Sequence, residues 1–130
     1  KLTEENVRSG KLHSEEYAIP KATAALLERA RKEGRPIIAV GTTVVRTLES
    51  ACDAKGHITR LCGSTDLFIR EKYRFRLTSG LITNYHVPQS SLLMLVGALV
   101  GRTKLLDLYR KAIRRKFRLF SFGDAMLVLP

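Results

Sequence analysis

Apolar and polar positions along the chain change period several times. After Pro20, the stretch KATAALLERARKE is built from strong helix formers, and a proline is tolerated at the first position of a helix, where its missing N–H costs nothing. Gly34 supplies the stop. PIIAV (36–40) is a short, bulky, β-branched run that predicts a buried strand. GTT (41–43) reads as a tight turn. VVRTLESAC (44–52) then places Val44, Val45, Leu48, Ala51 and Cys52 on one helical face. DAKGH turns around Gly56. Residues 1–19 show neither period and read as irregular.

Between Ile58 and His86 the pattern becomes strand-like. TDLFIR (65–70) and KYRFRL (72–77) carry aromatic and branched residues, and in the second Tyr73, Phe75 and Leu77 alternate with Arg74 and Arg76. SG (79–80) is a turn, LITNYH (81–86) a further strand, and Pro88 ends it. Ser90 or Ser91 is placed to cap a helix over SLLMLVGALV (91–100). GRT breaks it, and KLLDLYRKAIRRKFR (104–118) predicts a second helix with a core stripe of Leu105, Leu106, Tyr109, Ala112 and Ile113. SFGDAMLVL closes with a turn and a strand. This order predicts an α/β or α+β fold, a mixed β-sheet packed with helices, in one domain or part of one. The chain opens on Lys1 and stops at Pro130 straight after AMLVL, so the expectation is a portion of a longer protein.

Composition sharpens the picture at one point. The net charge is +11, from 23 basic and 12 acidic residues in 130, which favours a polyanionic partner: nucleic acid, or an acidic membrane surface as the weaker reading. The longest apolar run, Leu92 to Val100, is too short to span a bilayer. Cys52 and Cys62 match no metal-ligand spacing and read as two free thiols.

Four places carry candidate chemistry. In IIAVGTTVVRTLES, Gly41, Thr42 and Thr43 sit between a strand and a helix N-terminus, a ready contact for an anion or nucleotide, although a plain helix cap explains the same pattern. Arg46 and Glu49, three residues apart, form either an exposed pair or a ligand-facing one. His13 and Glu15 share one side of an extended segment and suit a base and its orienter, or are surface residues. Asn84 and His86 share the face of a strand that runs into the helix N-terminus at Ser90, and ligands of open α/β sheets gather beyond such strand ends. In the last helix Lys104, Lys111, Arg114 and Arg118 recur at helical spacing, widened by Arg110, Arg115 and Lys116 and interrupted by Asp107. A face so nearly of one sign suits phosphates.

Taken in order, HSEEY, IAVGTTVVRTLES, TDLFI, GLITNYHVPQSSLLMLVGALVG and FSFGDAMLV resemble the S-adenosylmethionine:tRNA ribosyltransferase-isomerase family over nearly the whole chain. Two positions depart from the pattern: Ser64 stands where a tryptophan is expected, and Arg70-Glu71-Lys72 replaces a proline-glycine turn. The resemblance implies part of the large mixed-sheet domain of a two-domain enzyme, without its β-barrel domain. It implies transfer and isomerisation of the ribosyl group of S-adenosylmethionine onto 7-aminomethyl-7-deazaguanine at the tRNA wobble position, releasing adenine and methionine and leaving epoxyqueuosine. S-adenosylmethionine would then be a consumed co-substrate and tRNA the partner. No metal, no membrane association, a cytoplasmic location and a monomer are the further expectations.

The reaction so implied begins with loss of a proton beside the sulfonium. His86, His13, Glu15 and Asp66 are the candidate bases in matching motifs. Glu49 could face the sulfonium cation, and Arg46 or the amides after Gly41 the carboxylate. Thr42, Thr43, Asn84 and Ser90 complete the substrate set, and Lys104, Lys111, Arg114, Arg115 and Arg118 the tRNA-binding set. The alternative is a non-enzymatic basic RNA-binding module.

Overall fold

The structure is a computed structural model that describes residues 2–84, 90–117 and 124–130. Ten elements follow in chain order: α1 (Glu4–Ser9), β1 (Lys11–Ala18), α2 (Lys21–Lys32), β2 (Ile38–Val40), α3 (Thr42–Ala51), β3 (Cys62–Leu67), β4 (Gly80–Asn84), α4 (Ser91–Val100), α5 (Arg102–Arg114) and β5 (Ala125–Val128). The fold is a mixed α+β arrangement, as the pattern of periods requires. β2 and β4 pair in parallel, with Val40 opposite Ile82, and β4 and β5 pair antiparallel, with Ile82 opposite Leu127. β1 and β3 form a separate antiparallel ribbon, Glu15 opposite Thr65.

Alternation along the three-stranded sheet sets the core. Ala39, Leu81, Met126 and Val128 face inward against Leu95, Val96 and Leu99 of α4, with Leu105 and Ala112 of α5 in the same cluster. A second cluster joins Ile19, Ile37, Leu48, Ala51, Cys52 and Leu77. α3 belongs to both, since Val45 enters the first cluster and Leu48 the second. Cys52 is buried, Cys62 is exposed, and both are free thiols. Burial, assisted by the Glu49 charge, pushes the Cys52 thiol up to about 11.

Several expectations are met closely. α4 occupies its expected residues, and the hydroxyl of Ser90, its N-cap, accepts from the Leu93 amide at 3.2 Å. The turn at 53–57 is pinned by the Asp53 carboxylate, which accepts from the amides of Lys55 (2.9 Å) and His57 (3.0 Å). α2 starts one residue later than expected, with Pro20 as N-cap.

Other expectations are corrected. Residues 2–19 are not irregular: Thr3 and Asn6 close a reciprocal capping box on α1, and β1 runs through HSEEY. A six-residue helix is too short to display a period, so the pattern passes over it. KYRFRL is not a strand. Its side chains still alternate, with Leu77 buried and Tyr73 against Phe75 at 5.2 Å between ring centroids. The amides of Arg76 and Leu77, however, turn to a buried side chain described below, and that of Tyr73 donates to the Arg70 carbonyl. The strand expected over TDLFIR begins earlier, at Cys62, and stops at Leu67. The proline-glycine turn is replaced by one that puts Lys72 at φ 73, a left-handed conformation that a glycine adopts without strain.

In α5 the break is shorter and the helix ends sooner than expected. Gly101 alone separates α4 from α5, and α5 stops at Arg114, with Lys116 at φ 56. Its buried stripe is Leu105 and Ala112, whereas Leu106 and Ile113 are exposed. β2 is buried on one side only: Ala39 is covered, and Ile38 and Val40 face out.

Candidate functional site

A cleft of about 680 Å³ is lined by Thr3, Asn6, Leu12, His13, Glu15, Thr42, Thr43, Arg46, Ser91 and Leu92. It collects residues from four elements and from the α1 cap. β1 brings His13 and Glu15, α3 brings Thr42, Thr43 and Arg46, and α4 brings Ser91 and Leu92. The first turns of α3 and α4 therefore open on the same space. Each helix end carries a partial positive charge and amide donors, so the cleft favours an anionic or polar ligand group. Gly41 makes the approach possible. At φ 93 it adopts a conformation that side chains disfavour, its amide donates to the Ile82 carbonyl at 2.8 Å, and no side chain caps α3. The expected threonine cap is thus replaced by a glycine cap, which leaves Thr42 and Thr43 to the cleft.

Arg46 ties the wall together. Its Nε donates to the Leu67 carbonyl (3.0 Å), Nη1 to a Glu15 carboxylate oxygen (2.9 Å) and Nη2 to the His13 carbonyl (3.4 Å). The Arg46 side chain is 9% exposed and that of Glu15 50%, so the pair joins an anchored cation to a carboxylate open to the cleft. The guanidinium fork meets three acceptors on two strands at once, which a lysine ammonium does not reproduce.

Glu49 lies elsewhere. It is 2% exposed, and its carboxylate accepts from the amides of Arg76 (2.8 Å), Leu77 (3.0 Å) and Thr78 (3.0 Å), the Thr78 hydroxyl (3.1 Å) and the Tyr73 hydroxyl (3.3 Å). These five donors hold the 73–78 segment against α3. Burial, reinforced by the Glu49 charge, pushes the Tyr73 phenol upward. Arg46 and Glu49 are therefore neither an exposed pair nor a pair with each other; each is buried and bonded to different partners.

The remaining candidates divide. Asp66 sits outside the cleft lining, its carboxylate 3.5 Å from Lys11 Nζ. Ser90 is committed to capping α4. Asn84 is half-buried at the end of β4. His86 and Arg118 lie outside the described residues. Lys104, Lys111, Arg114 and Arg115 are exposed, with Lys104 Nζ donating to the Leu129 carbonyl at 3.4 Å and Arg115 just beyond the helix end. Thr3, Asn6 and Ser91 are cleft residues that the sequence pattern does not single out. A Thr-x-x-Asn spacing is the one signal for the first two, and Ser91 is overshadowed by the capping role of its neighbour. Among the described residues no group of three or more His, Cys, Asp or Glu is placed to hold a metal ion, and no helix is long and apolar enough to cross a membrane.

These features define an α+β domain with a polar ligand cleft at two helix N-termini and a strongly basic surface. The model of the queuosine biosynthesis protein family matches residues 1–128, and the chain belongs to that family. It is 52% identical over 125 residues to the S-adenosylmethionine:tRNA ribosyltransferase-isomerase of Moorella thermoacetica, covering 96% of this chain and 36% of that protein. It is 51% identical to the protein of the same name from Nostoc sp., over 97% of this chain and 32% of that one. The crystal structure of an S-adenosylmethionine tRNA ribosyltransferase from Thermotoga maritima superposes with a TM-score of 0.79 at 45% identity, covering 89% of this chain and 40% of the other. The chain thus spans about a third of the length of the curated relatives it matches.

Proposed function

We propose that this chain supplies part of the S-adenosylmethionine site of a tRNA ribosyltransferase-isomerase. In this role it helps transfer the donor's ribosyl group to 7-aminomethyl-7-deazaguanine in tRNA, with adenine and methionine released and epoxyqueuosine formed. The observation that carries this reading is the cleft that gathers His13, Glu15, Thr42, Thr43, Arg46 and Ser91, in a chain whose relatives bear that enzyme's name. The first-turn amides of α3, with the Thr42 and Thr43 side chains, are oriented to bind the donor's carboxylate. The half-exposed Glu15 carboxylate faces the sulfonium cation, held in place by Arg46. His13 takes the proton lost beside the sulfonium, from its place in the cleft wall beside Glu15. His86 remains a second candidate for that role. The exposed basic side chains Lys104, Lys111, Arg114 and Arg115 meet tRNA phosphates. No metal takes part in this scheme.

A catalytic centre needs convergent groups held by a supporting shell, so the 130-residue chain alone is expected to bind the donor weakly and turn it over negligibly. The test places this chain in the matching third of the Moorella enzyme and supplies S-adenosylmethionine with tRNA bearing the deazaguanine precursor. Adenine release with epoxyqueuosine formation is the expected result. tRNA binding without adenine release would support instead a non-enzymatic basic RNA-binding module.

A further inference from the structure

Among the described residues, the three-stranded sheet is covered on one face only. Its second face carries Ile38 (36% exposed), Val40 (67%), Ile82 (37%), Leu127 (58%) and Leu129 (47%). The register makes these one surface: Val40 pairs with Ile82, and Ile82 with Leu127, in a row across β2, β4 and β5. Gly80 completes it. A Cβ there would lie 2.8 Å from Ile38 Cδ1 and 2.7 Å from Leu129 Cδ2, so the missing side chain lets those two residues close over the middle strand. The result is a continuous aliphatic face with no charged side chain among its members. All-parallel sheets occur almost solely with both faces covered, and the β2–β4 pair is the parallel part of this mixed sheet.

We infer that this face is the docking surface for an amphipathic helical layer contributed by the part of the family polypeptide that lies outside the matched third. The relatives provide ample chain, since this segment accounts for 36% of the Moorella protein and 40% of the Thermotoga one. Helices on the second face would turn a half-covered sheet into the three-layer arrangement that parallel pairing favours. The surface is distinct from the ligand cleft, which is built from β1 and from the helices that open beyond the strand ends.

The test is thiol protection. With the exposed Cys62 changed to Ser, Val40→Cys and Leu127→Cys are each labelled with a maleimide in this chain alone and in the chimera with the rest of the Moorella protein. Lys21→Cys, on exposed α2, serves as the reference. Both face thiols should react as freely as the reference in the chain alone and at least ~10-fold more slowly in the chimera, since a covered thiol reacts only through local opening. Equal rates in the two forms overturn the inference. So does protection in the chain alone that grows with protein concentration, because a second copy would then be the occupant. If the chimera does not fold, the Moorella remainder is added to the chain in trans. Protection then supports the inference, and unchanged rates overturn it.

Discussion

Replacing Glu49 by Gln tests whether this carboxylate is a structural anchor or a ligand contact. Five donors converge on it, three of them backbone amides of residues 76–78, at 2.8 to 3.3 Å. Glutamine keeps the shape but turns one acceptor into an NH₂ donor. If the amide nitrogen takes the position nearer Arg76, the Tyr73 hydroxyl can rotate to accept, but the Arg76 N–H is stranded. If it takes the other position, the amides of Leu77 and Thr78 are stranded together. The first arrangement is cheaper, at about 1–3 kcal/mol for the buried unpaired donor, with about 1 kcal/mol more for replacing charge-assisted hydrogen bonds by neutral ones. A loss of roughly 2–4 kcal/mol is therefore expected, a large fraction of the ~5–15 kcal/mol that holds a domain folded. Denaturant unfolding of the parent and variant chains, followed by circular dichroism, measures it from the shift in midpoint. Glu49→Leu should cost more, since all five donors lose their acceptor. A Glu49→Gln chain within ~0.5 kcal/mol of the parent would refute the anchoring role. Intact stability with weakened S-adenosylmethionine binding would return Glu49 to the ligand.

Arg46→Lys should lose the bond to Leu67 or to Glu15, lowering stability by about 1–3 kcal/mol. It should also weaken S-adenosylmethionine binding roughly tenfold, as calorimetry would show, because a single ammonium cannot hold Glu15 and the strand carbonyls together. Unaltered affinity would remove Arg46 from the cleft's function. Lys111→Glu with Arg114→Glu should weaken tRNA binding and flatten its salt dependence by roughly one log–log unit for each phosphate no longer neutralised, leaving stability unchanged; an unmoved salt slope would mean these side chains are merely solvated. The hydrogen bond from Arg31, aided by His57 against partial burial, holds the Glu28 carboxyl down at about 2. A carboxyl depressed on folding adds stability that is fully present above its ordinary value near 4.5 and fades as pH falls toward 2. Glu28→Gln should therefore flatten the stability curve in that window, and a curve parallel to the parent's would contradict the pairing.

The periodic elements were legible because burial dictated their residues. α4 is apolar along its length behind a serine cap, and AMLV is a short apolar run after a turn, so these elements could be read; the inward face of β5 could not, because AMLV is apolar on both sides. KYRFRL shows where pattern fails. Its alternation reports which side chains face inward, but whether a segment is a strand depends on where its amides bond, and the Glu49 carboxylate, on another element, takes those of Arg76 and Leu77. The cleft was half legible. Thr42, Thr43 and Arg46 announce themselves beside Gly41, yet their meeting with His13 and Glu15 depends on the pairing of β1 with β3, set by residues about fifty apart in the chain. Arg46 and Glu49 mislead in the same way. Their three-residue spacing suggests a surface pair, whereas tertiary packing buries both and sends each to a different wall.

The proposed function stands or falls on S-adenosylmethionine occupying the cleft at the first turns of α3 and α4. Amide chemical-shift mapping of the isotope-labelled chain, during titration with S-adenosylmethionine to millimolar concentration, measures this directly. The largest shifts should cluster at His13, Glu15, Thr42, Thr43, Arg46 and Ser91, with residues of the uncovered sheet face, Ile38 and Leu127, unmoved. Shifts concentrated away from the cleft, or none within it at saturating donor, would contradict that occupancy.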